Sequence, residues 1–120
     1  MEQQDFIDIT TEDGIALITF NVPSIVDVSS VESISRKLHS LIDDTDVLKV
    51  IVDFDGVKFF SSMVLGLLVD IWRRLGEKGG TVVISGIDPQ LSRVFKITNL
   101  DKLFQFYPDR QSAFDAINKI

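Results

Sequence analysis

The residues of this chain that could carry chemistry lie mostly in one stretch, Asp53-Phe-Asp-Gly-Val-Lys-Phe-Phe-Ser-Ser62. Two carboxylates, Asp53 and Asp55, stand two residues apart in it. Ser61 and Ser62 precede an apolar run and suit the capping of a helix N-terminus. Elsewhere the means for catalysis are thin. The chain has no cysteine, which excludes disulfides, thiolate metal sites and cysteine nucleophiles. Its one histidine, His39, cannot build a His-rich metal site, and it could serve a triad only if a serine and an acid met it in space. No metal site and no cofactor is expected.

The elements that must position this stretch follow from the apolar pattern. Phe6–Ile9 and Ile15–Phe20 flank Glu12-Asp13-Gly14 and predict two strands joined by a tight turn. Val22–Val28, with Pro23, is expected to be a loop. Ser29 and Glu32 have the spacing of a capping box, so a helix is predicted to start there. Val31, Ile34, Leu38, Leu41 and Ile42 recur at helical spacing and carry that helix to about Asp43, with Asp43–Asp46 a solvated turn. Val47–Phe54, nearly all apolar and β-branched, predicts a central strand buried on both faces. Ser61 and Ser62 should open a buried helix that stops near Gly76–Gly80. Thr81–Ile84 is the next strand, Asp88-Pro89 caps a helix to about Ile97, Phe104–Tyr107 is an edge strand, and Asp109 opens a last helix. Gly66 is expected to allow close packing of helix on sheet, and Trp72 and the phenylalanines to lie mainly in the core.

Strands alternating with helices imply an α/β fold: a mixed, mostly parallel sheet of four to five strands flanked by about four helices, with the opening strand added antiparallel at an edge. The 120 residues suit a single domain spanning 1–120. Hydrophobic residues at 45% and charged residues at 25% are the proportions of ordinary globular domains. A net charge of −6 disfavours nucleic acid as a partner. No apolar run approaches a membrane span and no leader pattern opens the chain, so a cytoplasmic protein without membrane attachment is expected.

Two resemblances arise at the loop from Asp53. Val52-Asp-Phe-Asp-Gly-Val57 resembles the opening motif of haloacid-dehalogenase-type phosphatases, a resemblance that implies Asp53 attacking phosphorus while Asp55 handles protons beside a magnesium ion. That family, however, carries the motif near its N-terminus and needs later Lys and acidic residues for which little chain remains. Phe59-Phe-Ser-Ser-Met-Val-Leu-Gly-Leu-Leu68 resembles the signature of STAS domains of the anti-sigma factor antagonist family: a strand, an aromatic, a D-S-S-G or S-S-A-G tetrad, then an apolar helix. Val26-Asp27 before the first helix, Gly79-Gly80 before a strand, and Phe95–Phe104 are also similar to segments of that family, so the resemblance runs from about Ile15 to the end.

The resemblance implies a bacterial signalling module that regulates transcription by partner switching and is not an enzyme. Ser62 takes the place of the phosphorylated residue, and Asp27, Asp55, Phe60, Ser61, Ser62, Met63 and Val64 the place of the partner-binding surface. Val64 stands where the family usually has Gly and is expected to narrow that surface. The implied partners are an anti-sigma factor Ser/Thr kinase, which would spend ATP on Ser62, and a PP2C-like phosphatase that reverses the step. A monomer or weak dimer is expected. A STAS scaffold or signalling-complex subunit that is never phosphorylated is the alternative within the family, and a magnesium-dependent phosphatase using Asp53 and Asp55 the alternative outside it.

Overall fold

The computed structural model describes residues 6–119. Strands β1 (Ile7–Glu12) and β2 (Ile15–Phe20) pair antiparallel around Asp13 and Gly14. Both turn residues have positive φ, 53° and 79°, as a two-residue type I′ hairpin requires and Asp-Gly readily adopts. The chain continues through β3 (Ser24–Ile25), α1 (Val28–Asp44), β4 (Lys49–Asp53), β5 (Phe59–Phe60), α2 (Ser62–Glu77) and β6 (Thr81–Ser85). It ends with α3 (Pro89–Ile97), a 3-10 turn at Leu100–Lys102, β7 (Phe106–Tyr107) and α4 (Arg110–Ile117).

The main sheet has the order β1-β2-β4-β6-β7, with every pairing parallel except that of β1 with β2. This is the mixed, mostly parallel five-stranded sheet with four helices that the strand–helix alternation predicts. β4 is the central strand, and its Val50, Ile51 and Val52 are all buried because helices cover both faces. One face packs against the apolar stripes of α1 (Val31, Ile34, Leu38, Ile42), α2 (Val64, Leu68, Ile71, Leu75) and α3 (Leu91, Phe95). The other receives only α4, through Ala113 and Ile117 against Ile15, Ile51 and Val83. Each fully buried aliphatic side chain is worth roughly 1.5–3 kcal/mol relative to an exposed one, so these stripes fix where the helices lie.

Four expectations need correction. Val22–Val28 is not simply a loop: Ser24 and Ile25 pair in parallel with Phe59 and Phe60, forming a separate two-stranded ladder. The last strand is shorter than predicted, Phe106–Tyr107, because the 3-10 turn takes up the residues before it. Gly66 is exposed, and a Cβ added there would meet nothing within 4 Å, so it does not mark a close approach of helix to sheet. Trp72 is 39% exposed on the outer side of α2 and is no core residue.

Parallel helices α1 and α2 are clamped by charge as well as by packing. Asp70 of α2 accepts from His39 Nε2 at 2.6 Å, Arg73 at 2.9 Å and Arg74 at 3.1 Å, and Arg74 also reaches Asp43 at 3.1 Å. Partial burial pushes the Asp70 carboxyl up, but its hydrogen bonds from His39, Arg73 and Arg74 outweigh this and hold it below the usual carboxylate value. At the far end, Lys78 donates to the carbonyls of Ile42 and Thr45, satisfying the C-terminus of α1.

Candidate functional site

Two helices begin side by side because the two-stranded ladder ties their leading segments together. Lys58 N donates to Pro23 O at 2.8 Å, Ile25 pairs with Phe60, and Ser61 N donates to Ile25 O at 3.0 Å. Asp27 and Ser62 each lie two residues beyond the Ile25–Phe60 pair, so the N-termini of α1 and α2 emerge together at one end of the molecule.

The two N-termini are satisfied differently. Asp27, and not Ser29 of the apparent capping box, is the N-cap of α1. Its carboxylate accepts from Ser30 N at 3.0 Å, Ser30 Oγ at 2.6 Å and Ser29 Oγ at 2.6 Å. The bonds from Ser29 and Ser30 hold its pKa at about 2, so Asp27 is a fixed negative charge at any physiological pH. A carboxylate wins the cap over a hydroxyl because its bonds are charge-assisted and it meets the positive end of the helix dipole.

At α2 the N-cap position belongs to Ser61, but its side chain makes no cap hydrogen bond. Its Oγ is the one buried side-chain polar atom without a partner among the described residues. Val64 N is taken up by Ser61 O at 3.0 Å, and the N–H groups of Ser62 and Met63, the first residues of the helix, have no partner among the described residues. No acidic residue stands in the first turn. This end of α2 therefore keeps open donors and uncompensated positive potential, and the exposed Ser62 hydroxyl sits on it.

Of the predicted partner-binding residues, Asp27, Asp55, Ser62 and Met63 are exposed and Ser61 is half-buried. Phe60 and Val64 are corrections. Phe60 is buried against Phe54 and Phe95, with ring centroids 5.6 and 6.1 Å apart, and Val64 is 2% exposed. Neither side chain can present itself to a partner, and Val64 does not narrow the surface, because it points into the core. The ring that faces outward is Phe59, 63% exposed, joined by Val26, Val28 and Met63. Period-two alternation sends one of Phe59 and Phe60 outward, yet only the pairing with Ser24 and Ile25 decides which. The burial of Val64 was readable, since Val64, Leu68, Ile71 and Leu75 form one helical stripe.

The two catalytic constellations come apart in space. Asp53 is 2% exposed, and both its oxygens are engaged, Oδ1 by Ser85 Oγ at 2.8 Å and Oδ2 by Arg110 Nη2 at 2.7 Å. Held between β4, β6 and α4, it anchors the start of the loop and is not free to attack phosphorus, while Asp55 stands exposed on the turn beyond it. His39 does meet a serine and an acid, but both at the same nitrogen: Ser35 Oγ lies 3.5 Å and Asp70 Oδ2 2.6 Å from Nε2. A triad needs the base to accept on one ring nitrogen and donate from the other. Among the described residues no cluster of three His, Cys, Asp or Glu is arranged to hold a metal ion, and no helix is long and apolar enough to cross a membrane.

The sequence model of the STAS domain family matches residues 6–113. A protein of Thermotoga maritima described as a candidate anti-sigma factor antagonist is 24% identical over 71 residues, 59% of this chain and 63% of that protein, so the chain aligns with somewhat less than two thirds of that relative. Among solved structures, an anti-sigma factor antagonist (STAS) domain protein of Planctomyces limnophilus is 27% identical with a TM-score of 0.83, over 92% of this chain and 96% of that one. The anti-sigma factor antagonist SpoIIAA in its unphosphorylated form is 21% identical with a TM-score of 0.83, over 95% and 97%. Its phosphorylated form superposes with a TM-score of 0.74 at 20% identity, over 92% and 98%.

Proposed function

The chain belongs to the STAS domain family, and on that premise we propose that it is an anti-sigma factor antagonist whose binding is switched at Ser62. The observation that carries this reading is the open N-terminus of α2, where an exposed serine lies over unpartnered N–H groups beside the fixed charge of Asp27. In the unphosphorylated state the partner, a kinase-type anti-sigma factor, docks on this end. Phe59, Met63, Val26 and Val28 supply exposed apolar contact there, and apolar and aromatic side chains at the centre of an interface carry most of its affinity.

The same partner then phosphorylates Ser62. Ser62 Oγ attacks the γ-phosphorus of ATP, the bond to the β-phosphate oxygen breaks, ADP leaves, and the hydroxyl proton passes to a base of the kinase. The new phosphate, charged about −1.5 to −2, lies at a helix N-terminus that tolerates anions, so the fold persists. Beside ionised Asp27, and with Asp55 also exposed, it sets like charges against an acidic or nucleotide-bearing partner, and the complex separates. A PP2C-like phosphatase resets the switch by hydrolysing the ester. SpoIIAA, which is known in both unphosphorylated and phosphorylated forms, supports a modification of this kind.

Incubation of the chain with the kinase-type anti-sigma factors of its own genome and ATP, followed by intact-mass measurement, tests the reading. One added phosphate on the wild type and none on Ser62→Ala is expected. Modification that persists in Ser62→Ala overturns the assignment.

A further inference from the structure

The two edges of the main sheet are unlike. β7 offers only Phe106 and Tyr107 before Pro108 and so presents almost no free ladder, whereas β1 runs six residues with no proline and no lysine. Long unprotected edges are templates for pairing with another chain. The bond from Asn21 N to Phe6 O at 2.8 Å fixes the phase of the hairpin. With Phe6 opposite Asn21 in the register of β1 on β2, the even-numbered residues of β1 bond to β2 and the amides and carbonyls of Ile7, Ile9 and Thr11 point outward. Among the described residues no strand meets them.

Beside this edge lies a shallow, open groove lined by Ile9, Leu41 and the outer side of α1, where Arg36 and Lys37 come before Leu41 along the helix and Asp44 after it. We propose that the occupant of this edge is a second copy of the chain, paired β1 to β1 antiparallel about a two-fold axis through Ile9. Opposite residues of an antiparallel pair share a face, which leaves two central registers. Thr10 on the axis sets Asp8 against Glu12 of the copy, like charges directly opposed, which is unfavourable. Ile9 on the axis sets Asp8 against Thr10 and pairs Ile7 with Thr11 and Ile9 with Ile9. These are the residues whose backbone groups point outward, so this register forms the full set of ladder bonds.

The same axis runs α1 antiparallel to its copy. Arg36 and Lys37 of each chain then approach Asp44 of the other, and the two grooves close over a shared seam of Ile9 and Leu41. One surface is thereby complementary to itself, as a two-fold interface must be.

Sedimentation velocity on the full chain over a concentration series tests this, with circular dichroism to verify folding of each variant. A reversible dimer is expected, with hydrogen-exchange protection at the amides of Ile7, Ile9 and Thr11 that rises with concentration. Ile9→Lys, which opposes two ammonium groups on the axis, should weaken the dimer about tenfold or more. Arg36→Glu and Asp44→Arg should each weaken it, and the two combined should restore it. Both residues are exposed, so this exchange decides the matter even if Ile9→Lys fails to fold. A chain monomeric at every concentration overturns the proposal. So does a dimer indifferent to the charge exchange that leaves the Ile9 amide unprotected, or an edge occupied only by a strand from another protein.

Discussion

The N-termini of α1 and α2 emerge side by side yet are built on opposite plans. α1 is closed by its own cap, Asp27, with three hydrogen bonds and a permanent charge. α2 has a serine in the cap position whose side chain has no partner among the described residues, and it is held from outside, by the ladder to Ser24 and Ile25 and by the buried Asp53 at the start of its leading loop. A helix end can thus keep its donors open without being loose. A helix end that relies on its own first residues uses up the donors a ligand would need; one anchored through backbone pairing and a distant ion pair keeps them.

The anchor should show the largest effect. Arg110→Met leaves the Asp53 carboxylate buried with Ser85 as its only partner among the described residues, at a cost of about 3 kcal/mol in chemical denaturation, the lower end for a broken buried pair because Arg110 itself is half exposed. A change as small as that of a surface substitution would mean that the leading loop of α2 is held some other way.

Next comes the cap of α1. Asp27→Ala should lower Tm by a few degrees, the usual consequence of losing a charged N-cap. The sign of its pH dependence follows from a folded-state pKa of about 2, below the ordinary 3.8. Its stabilisation is complete above the unfolded value and is lost as pH falls through the folded one, between about pH 4 and pH 2. Asp70 and Asp109 are lowered in the same direction, Asp109 by its hydrogen bonds from Ser112, and add to the same acid limb. The diagnostic is therefore the difference between wild type and Asp27→Asn, which should shrink to nothing as pH falls through that window.

Ser61→Ala should do least. Its hydroxyl makes no bond, so the change is expected to stay within about 0.5 kcal/mol of wild type and to spare the fold. A loss as large as that in Asp27→Ala would show that Ser61 caps α2 after all and would erase the contrast between the two ends.

Much of this was legible in the sequence, and the exceptions share a cause. The order of elements, the central strand and the Asp88 and Asp109 caps follow from local pattern and residue type. The loop that carries Ser62 follows from the strand before it and the apolar helix after it. What failed to show locally depends on partners far along the chain. The ladder of Ser24 and Ile25 with Phe59 and Phe60 is two residues long on each side, too short for a period to register, and it exists only because both loops leave the same end of the sheet. Without it the choice between Phe59 and Phe60 as the outward ring has no basis. Asp27 and Ser29 are both good capping residues, and the spacing of Ser29 to Glu32 favoured the wrong one until the backbone placed Asp27 at the turn. The engagement of Asp53 by Arg110, 57 residues away, could not be read from a motif that resembles a nucleophile in isolation.

If Ser62 is the switch, its phosphate releases the partner without disturbing the fold. Calorimetric titration of the kinase-type anti-sigma factor with the unphosphorylated and the phosphorylated chain, each verified by its NMR spectrum, tests it directly. Binding of the phosphorylated form is expected to be about a hundredfold weaker, equivalent to about 2.7 kcal/mol, with spectral changes confined to the ends of α1 and α2. Equal affinity of the two forms, or weaker binding accompanied by loss of folded structure, would contradict it.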